Sequence, residues 1–432
     1  MSTRPYDVIV FGATGFTGKL AAEYLHAAVS EAKRDGDYPR LSPRGRERHH
    51  AVAYRAGALK DLRWAVAGRD RAKLEAIQRA LSGPAMPSVV VATSSDQASV
   101  DAMVKSTRVI VSFAGPFAQY GTPVVDACVR FGTDYADSTG ETPWVADMIA
   151  KYHAKAEASK ALIVPMCGFD SVPFDLGVFY ACAKLRERGS TNIVRATSLC
   201  TMVGGFSGGS LASGLAMDHD ARAAQQKNNP FALGGGPKSD AHLKASAART
   251  KVEYLDEFKA WTAPFMMADL NTRVVRKSAD VLAYRTDGDG FVYTELAMAP
   301  SEAVAKKLLK AAQPSPPEVR QSLIASGALP KPGEGPAPAA REKFYFQTVV
   351  KAVDDKGRSA MVSITGGDAG YEDTAMMVVE AGLCMALDRD GLPRAGGVLT
   401  PAAALGSDLV ERLDRAGIRF KAVGDLRMRS AL

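Results

Sequence analysis

Three glycines at a spacing of three, Gly12, Gly15 and Gly18, stand between an apolar β-branched run, Tyr6 to Phe11, and a helical pattern from Lys19 to Val29. A strand that turns through glycines directly into a helix opens a βαβ unit. The spacing also has a chemical reading. A dinucleotide's pyrophosphate must come close to the free amides of a helix N-terminus, so side chains at positions 12 and 15 would keep it away. The bare position 18 lets the helix pack on the strand. The whole turn, Gly12, Ala13, Thr14, Gly15, Phe16, Thr17 and Gly18, is a candidate dinucleotide site, with a purely structural glycine turn as the alternative.

The alternation continues. Strand-like runs at Trp64 to Ala67, Ser88 to Ala92, Arg108 to Ser112, Asp134 to Asp137 and Ala161 to Val164 alternate with helical patterns at Arg71 to Leu81, Gln97 to Lys105, Thr122 to Phe131 and Pro143 to Ser159. Thr142 is expected to cap the last of these helices. Six strands alternating with helices specify an α/β fold, a Rossmann-type doubly wound parallel sheet. Residues 30–62 are polar and Arg-rich and read as an insertion before the second strand.

After Pro165 strand-like stretches follow at Asn192 to Val203, Thr272 to Tyr284, Phe291 to Met298, Phe344 to Val353 and Ser359 to Thr365, with no regular helix between them. They predict a second α+β domain on a mixed or antiparallel sheet. Residues 314–341 carry seven of the 23 prolines and are expected to form a loop. The expected division is therefore 1–165 for the nucleotide-binding domain, 166–368 for a substrate domain, and 369–432 for a C-terminal helix and tail packing back on the first domain.

The end of the second strand selects the cofactor. NAD sites place an acid there for the ribose 2′-hydroxyl, and NADP sites place an arginine for the 2′-phosphate. This strand ends Ala67-Gly68-Arg69, with Lys73 one turn on, which favours NADP; Asp70 reads either as a helix N-cap or as a ribose ligand. The fourth strand runs into Ala114-Gly115-Pro116, where such folds pass the nicotinamide ribose, and the sixth into Cys167-Gly168-Phe169-Asp170-Ser171. Tyr120 and Asp170 follow these carboxyl ends and are the candidate catalytic residues, while for Asp170 and Ser171 helix capping is an equal reading.

Three other patterns compete. Gly205-Phe206-Ser207-Gly208-Gly209 fits a nucleophile elbow, with His219 and His242 downstream, but lies after the parallel sheet has ended; a loop that lets backbone approach a ligand fits better. Tyr180 and Lys184 have the YxxxK spacing of short-chain dehydrogenases but lack the serine partner, and read as core and surface residues. Met376, Val379 and Leu383 form a helical core stripe. His49 and His50 have no ligand cluster beside them, so no metal site is expected.

Composition limits the partners. The formal charge of +7 comes from 54 basic against 47 acidic residues, and residues 33–71 alone hold eleven basic against five acidic, or +6. So local an excess suits an anionic ligand or membrane surface better than a nucleic-acid duplex. The five cysteines are scattered without CxxC spacing, as reduced thiols in a cytoplasmic protein would be. No run approaches the roughly 20 apolar residues of a bilayer span, so any membrane contact is expected to be peripheral.

Gly12 to Gly18, Ala67-Gly68-Arg69, Gly115-Pro116-Phe117 with Tyr120-Gly121, Asp134-Tyr135-Ala136-Asp137 with Thr139-Gly140-Glu141, Cys167 to Pro173, Gly370-Tyr371, Ala386 to Arg389 and Gly397 to Ala403 together resemble the saccharopine dehydrogenase-like oxidoreductases, specifically the trans-acting enoyl reductase branch. The resemblance spans nearly the whole chain. It implies NADP as cofactor and reduction of a carbon–carbon double bond in a hydrophobic acyl, polyketide or lipid intermediate, carrier-bound or free. Two alternatives stay open: a saccharopine-type reductase acting on an imine, which would want Arg273 and Arg276 for amino-acid carboxylates, and a lipid-associated protein that binds NADP without turnover. A homo-oligomer is left open. Residues 33–62, longer than the family pattern, and the Lys- and Pro-rich stretch 300–341, where some members are strongly apolar, depart from that branch.

Overall fold

The computed structural model describes residues 4–35, 59–205, 211, 213–215, 229–312, 316–331 and 333–424. Most of the Arg-rich insertion, with His49 and His50, lies outside them, as do Phe206 to Gly209 and His219.

Seven parallel strands make the first sheet: β1 (Tyr6–Phe11), β2 (Trp64–Gly68), β3 (Ser88–Val91), β4 (Thr107–Ser112), β5 (Asp134–Asp137), β6 (Leu162–Val164) and β13 (Gly397–Val398). Their order is β13-β6-β5-β4-β1-β2-β3, the doubly wound arrangement, with β13 added from the C-terminal part. Alternation of side chains explains why both faces need helices. Ile9, Phe11 and Ile110 point into one core with the helices Gln97–Lys105, Thr122–Phe131 and Thr142–Ser159. Val8, Val10 and Val111 point into the other, with the helices Phe16–Asp35 and Glu372–Leu387.

That second core does not stop at the first sheet. It runs on into a mixed sheet of order β14-β12-β11-β7-β10-β9-β8, built from β7 (Ile193–Val203), β8 (Glu253–Leu255), β9 (Ala260–Pro264), β10 (Val292–Ala299), β11 (Tyr345–Asp354), β12 (Ser359–Gly366) and β14 (Arg419–Val423). Only β7 and β10 pair in parallel; their register sets Ser198 beside Glu295. The helices Val172–Arg186, Ala268–Val281 and Pro401–Ala416 lie between the sheets. Closeness is visible at Gly177, where a Cβ would come within 2.9 Å of Ile364 Cδ1. The buried Glu380 carboxylate ties three helices by accepting from Tyr24 Oη (2.6 Å) and Arg412 Nη1 (3.2 Å).

Five sequence expectations change. Thr272 to Tyr284 is not a strand: it belongs to the helix Ala268–Val281, because Asn271, Val274, Val275 and Ser278 recur at helical spacing on the buried face, and its β-branched residues gave a misleading strand signal. Helices therefore do interrupt the second domain, Glu302–Ala311 among them. Residues 314–341 are not simply a loop, since Pro317–Ala325 and Pro338–Arg341 are helical, with prolines at the first turn where a missing N–H costs nothing. Thr142 is the first residue of its helix, and Glu141 takes the cap position with its side chain engaged elsewhere. The C-terminal part is more than a helix and tail: it supplies β13 to one sheet and β14 to the other.

The helix Glu372–Leu387 packs so closely on β4 that a Cβ at Gly382 would lie 2.3 Å from Val111 Cγ2. Gly382→Val is expected to lower the unfolding free energy by about 1–3 kcal/mol through overpacking, read from urea denaturation.

Candidate active site

At the carboxyl edge of the first sheet the glycine turn is held by backbone. Gly12 and Ala13 donate to Ala67 O at 2.9 and 3.2 Å, and Gly15 donates to Gly12 O at 3.0 Å. Gly12 has φ +82°, and a Cβ there would lie 2.8 Å from Ala114 N, so it is needed for the passage of the β4 loop as well as for a ligand. A Cβ on Gly18 would lie 2.2 Å from Gly12 O, which is the close helix-on-strand packing expected of the third glycine. Gly15 differs, because a Cβ would meet only Gly12 O, at 3.4 Å, and otherwise opens outward. The helix begins at Phe16 and Lys19 N–H is the first to bond back, to Gly15 O at 2.9 Å. The first-turn amides of Phe16, Thr17 and Gly18 thus point out beside the open face of Gly15, a cradle that fits a pyrophosphate.

At the end of β2, Asp70 is the N-cap of the helix Arg71–Ala80, accepting from Lys73 N at 3.1 Å and pairing with Lys73 Nζ at 3.8 Å. Arg69 is exposed and has no hydrogen-bond or ion-pair partner among the described residues. Of the two neighbours, the arginine is therefore the one free for an anion.

After β4 comes the cis Gly115–Pro116 peptide and the short helix Phe117–Tyr120. Its first amides are taken by the buried Glu141 carboxylate, which accepts from Phe117 N (2.8 Å), Ala118 N (2.7 Å) and, across from the second domain, Ser213 Oγ (3.0 Å). Glu141 fixes this loop, a role that reading residue types alone did not assign. Tyr120 is 40% exposed, and its hydroxyl bonds to no described residue, Asp170 included.

The turn after β6 is pinned from both sides. Asp137 Oδ1 accepts from Met166 N at 2.9 Å and Asp137 O from Cys167 N at 2.8 Å, while Phe169 N donates to Thr374 Oγ1 at 3.0 Å. Full burial pushes the Asp137 carboxyl up to about 7 against those hydrogen bonds. Phe169 packs edge-on to Phe346 (4.9 Å) and Phe174 (5.6 Å), and Met202 lies opposite Phe346 in register, giving an apolar wall. Gly205 reaches the same region: a Cβ on Gly370 would lie 3.4 Å from Gly205 O, and Gly370 and Thr374 flank one turn. Asp170, next to Phe169 in this turn, has a buried Oδ1 without a partner among the described residues. Desolvation alone raises its carboxyl to about 6. Of the two residues in the capping reading, Ser171 does take the N-cap position of Val172–Arg186, though without a side-chain cap bond, and Asp170 lies one residue before it.

The competing patterns resolve structurally. His242 has both ring nitrogens engaged, with Lys238 N (3.2 Å) and Phe291 O (3.1 Å), so it is no base for a distant serine. Tyr180 packs on Phe420 and Lys184 pairs with Glu187 at 2.7 Å. Val379 and Leu383 are core, as their spacing indicates. A charged cleft lined by Arg195, Lys351 and Asp355 lies at the opposite end of the second sheet from Met202 and Phe346 and contains none of the candidate residues.

A doubly wound sheet with a free helix N-terminus at its carboxyl edge, closed over by a second sheet, is the architecture of dinucleotide-binding proteins. The saccharopine dehydrogenase NADP-binding domain matches residues 50–164. A Mycobacterium tuberculosis protein provisionally named as a trans-acting enoyl reductase is 35% identical over 97% of both chains, and a trans-acting enoyl reductase of Mycobacterium ulcerans is 31% identical over 96% of this chain and 97% of its own. Yeast saccharopine dehydrogenase shares the fold, with a TM-score of 0.50 at 11% identity over 97% of this chain and 100% of its own. Homospermidine synthase of Legionella pneumophila, solved with NAD, gives 0.50 at 9% identity over 97% and 91%. The chain belongs to the saccharopine dehydrogenase-like oxidoreductases, in the trans-acting enoyl reductase branch, and is an NADP-dependent enzyme.

Two substitutions test the cradle. Arg69→Ala is expected to weaken NADPH binding about ten- to a hundredfold and leave NADH binding nearly unchanged, in line with loss of a charge-assisted hydrogen bond, by fluorescence titration. Gly15→Val is expected to abolish binding of both dinucleotides while the circular dichroism spectrum stays that of the wild type.

Proposed function

We propose that the chain reduces the carbon–carbon double bond of a hydrophobic α,β-unsaturated acyl or polyketide intermediate made by a separate synthase. The observation that carries this reading is the full-length likeness to relatives named trans-acting enoyl reductases, at 30–35% identity. The apolar wall of Phe169, Phe346 and Met202 suits an acyl chain beyond the strand ends. In this reading NADPH, when bound, supplies the hydride. The turn Gly12 to Gly18 holds its pyrophosphate, Arg69 meets the 2′-phosphate, and Ala114, Gly115 and Pro116 border the nicotinamide end. Asp170, in a desolvated pocket, delivers a proton to the α-carbon as negative charge develops on the acyl carbonyl. Tyr120, presented by the loop that Glu141 fixes, orients the thioester end.

Imine reduction of an amino acid is less well supported. Arg276 is buried with both Nη atoms on backbone carbonyls, of Pro230, Ser246 and Tyr293, and Arg273 is held by Asn229 O, Asp269 O and the Asp269 carboxylate (3.5 Å), so neither is set out for the carboxylate of an amino-acid substrate.

No helix among the described residues is long and apolar enough to cross a membrane, and all five cysteines are buried and free. A cytoplasmic enzyme, at most peripheral to a membrane, fits both observations.

NADPH consumption across a panel of enoyl thioesters of increasing chain length is expected to rise with chain length, and imines of amino acids are expected to give none. Asp170→Asn is expected to lower kcat about a hundredfold while NADPH affinity is retained, as when an interaction made only in the transition state is lost. Normal turnover in that variant removes Asp170 from the reaction.

A further inference from the structure

Residues 333–341 cross the seam between the glycine turn and the second domain. Gly335 and Pro336, neighbours in sequence, touch opposite sides of it. A Cβ on Gly335 would lie 2.5 Å from Phe16 Cε1, so this backbone rests on the ring of the residue that opens the cofactor helix. Pro336 Cγ lies 3.2 Å from where a Gly205 Cβ would be, on the loop that follows β7. Exposed residues flank the pair, Glu334 before it and Ala337 to Ala339 after it. Among the described residues, the hydrogen bonds of 333–336 are made with Lys331 and Arg341 alone. Glu334 N donates to Lys331 O at 2.9 Å, the Glu334 carboxylate accepts from Lys331 N at 2.9 Å, and Pro336 O accepts from Arg341 Nη1 at 2.8 Å.

Arg341 holds the segment down. It is 8% exposed, and besides Pro336 O its guanidinium serves two other groups. Nε donates to Glu372 Oε1 at 2.8 Å, with Asp368 Oδ2 at 3.8 Å, and the guanidinium carbon lies 5.6 Å from the centre of the Phe16 ring. Tyr371 packs edge-on against the same ring at 5.2 Å. Glu372 opens the helix Glu372–Leu387, which is packed into the core against β4, so the guanidinium ties a superficial segment to a rigid one. Phe16 is thereby gripped by Gly335, Arg341 and Tyr371, all from the C-terminal part of the chain. Its N–H is one of the three free amides of the cradle, so what fixes the ring fixes part of the anion site.

The same segment is built to move as a piece. Gly333 has φ +90°, and a Cβ there would meet nothing within 4 Å, so the backbone is free to turn at that residue. Pro336 and Pro338 fix φ beyond it and the helix Pro338–Arg341 follows, so the rest is stiff and loses little entropy on settling back. The latch itself is slight. Glu372 keeps 48% of its side chain exposed, and water can take its place on Arg341.

We propose that residues 333–341 form a hinged strap, latched by Arg341, that clamps Phe16 over the pyrophosphate cradle, so that NADP(H) leaves only when the strap lifts. Arg341 is a positioning residue, acting on the cofactor through Pro336 and Phe16. A dinucleotide on the cradle needs Phe16 N in place, so its binding favours the closed strap, and the closed strap favours binding by the same free energy. Because Pro336 also reaches Gly205, the closed strap covers the seam from the cradle to the second domain.

The test reads the opening of the strap and the release of cofactor, and needs no substrate. NADPH is expected to slow amide exchange at Ala340 and Arg341, which both donate to Ala337 O, by about tenfold in the wild type and not at all in Arg341→Ala. In stopped-flow fluorescence NADPH is expected to leave Arg341→Ala about tenfold faster than the wild type, with association no slower, as charge-assisted hydrogen bonds of the latch are lost. Gly335→Val, which forces the strap off the ring and leaves Arg341 and Asp368 intact, is expected to do the same. Arg341→Lys, which keeps a charge for Glu372, is expected to recover part of the wild-type rate. Phe16→Leu combined with Arg341→Ala is expected to release NADPH no faster than the faster single variant, because both act through one ring. Strap exchange indifferent to NADPH in the wild type, wild-type release from both Arg341→Ala and Gly335→Val, or effects of Phe16→Leu and Arg341→Ala that multiply, overturns the proposal. Slower association with unchanged release, the mark of a misshapen cradle, overturns it as well.

Discussion

The architecture depends on one close contact: the helix Phe16–Asp35 meets the end of β1 with no side chain between them. A Cβ on Gly18 would sit 2.2 Å from Gly12 O, and one on Gly12 would sit 2.8 Å from the β4 loop. Because helix start, β1 and β4 converge within backbone contact, the free amides of the helix stand over the carboxyl edge where β4, β5 and β6 also end. The macrodipole and unsatisfied N–H groups are thereby aimed at one point in space, and an anion is what that point accommodates. The other candidate residues take their positions from the same edge.

The second sheet is continuous in its core with the first, and that continuity makes a desolvated site. Helices from three parts of the chain fill the space between the sheets, and the C-terminal segment stitches both by adding one strand to each. In such an interior carboxyls hold their protons toward neutral pH. Asp137 holds two loops through backbone amides, whereas Asp170, like Asp175 and Asp368, has a buried Oδ1 without a partner among the described residues.

Much of the nucleotide-binding half was legible in the sequence because it is built from local signals: glycine spacing, β-branched runs and helical periodicity within short distances. Arg69 and Asp70 could be named as rivals from the sequence, but only the side-chain geometry made Asp70 the helix cap. The second half was harder. Thr272 to Tyr284 carries β-branched residues that favour a strand, and tertiary burial of Asn271, Val274 and Ser278 on one face made it a helix. β13 is two residues long, too short to carry any pattern. Glu141 was not picked out as the residue that fixes the β4 loop because its partners, Phe117 and Ser213, converge on it only in the fold.

In the proposed reaction this edge delivers a hydride and a proton across a carbon–carbon double bond. Mass spectrometry of the product formed from an enoyl thioester and NADPH deuterated at the transferring position tests it most directly. One deuterium at the β-carbon and a solvent-derived hydrogen at the α-carbon are expected. A product without deuterium, or deuterium at the carbonyl carbon, would contradict it.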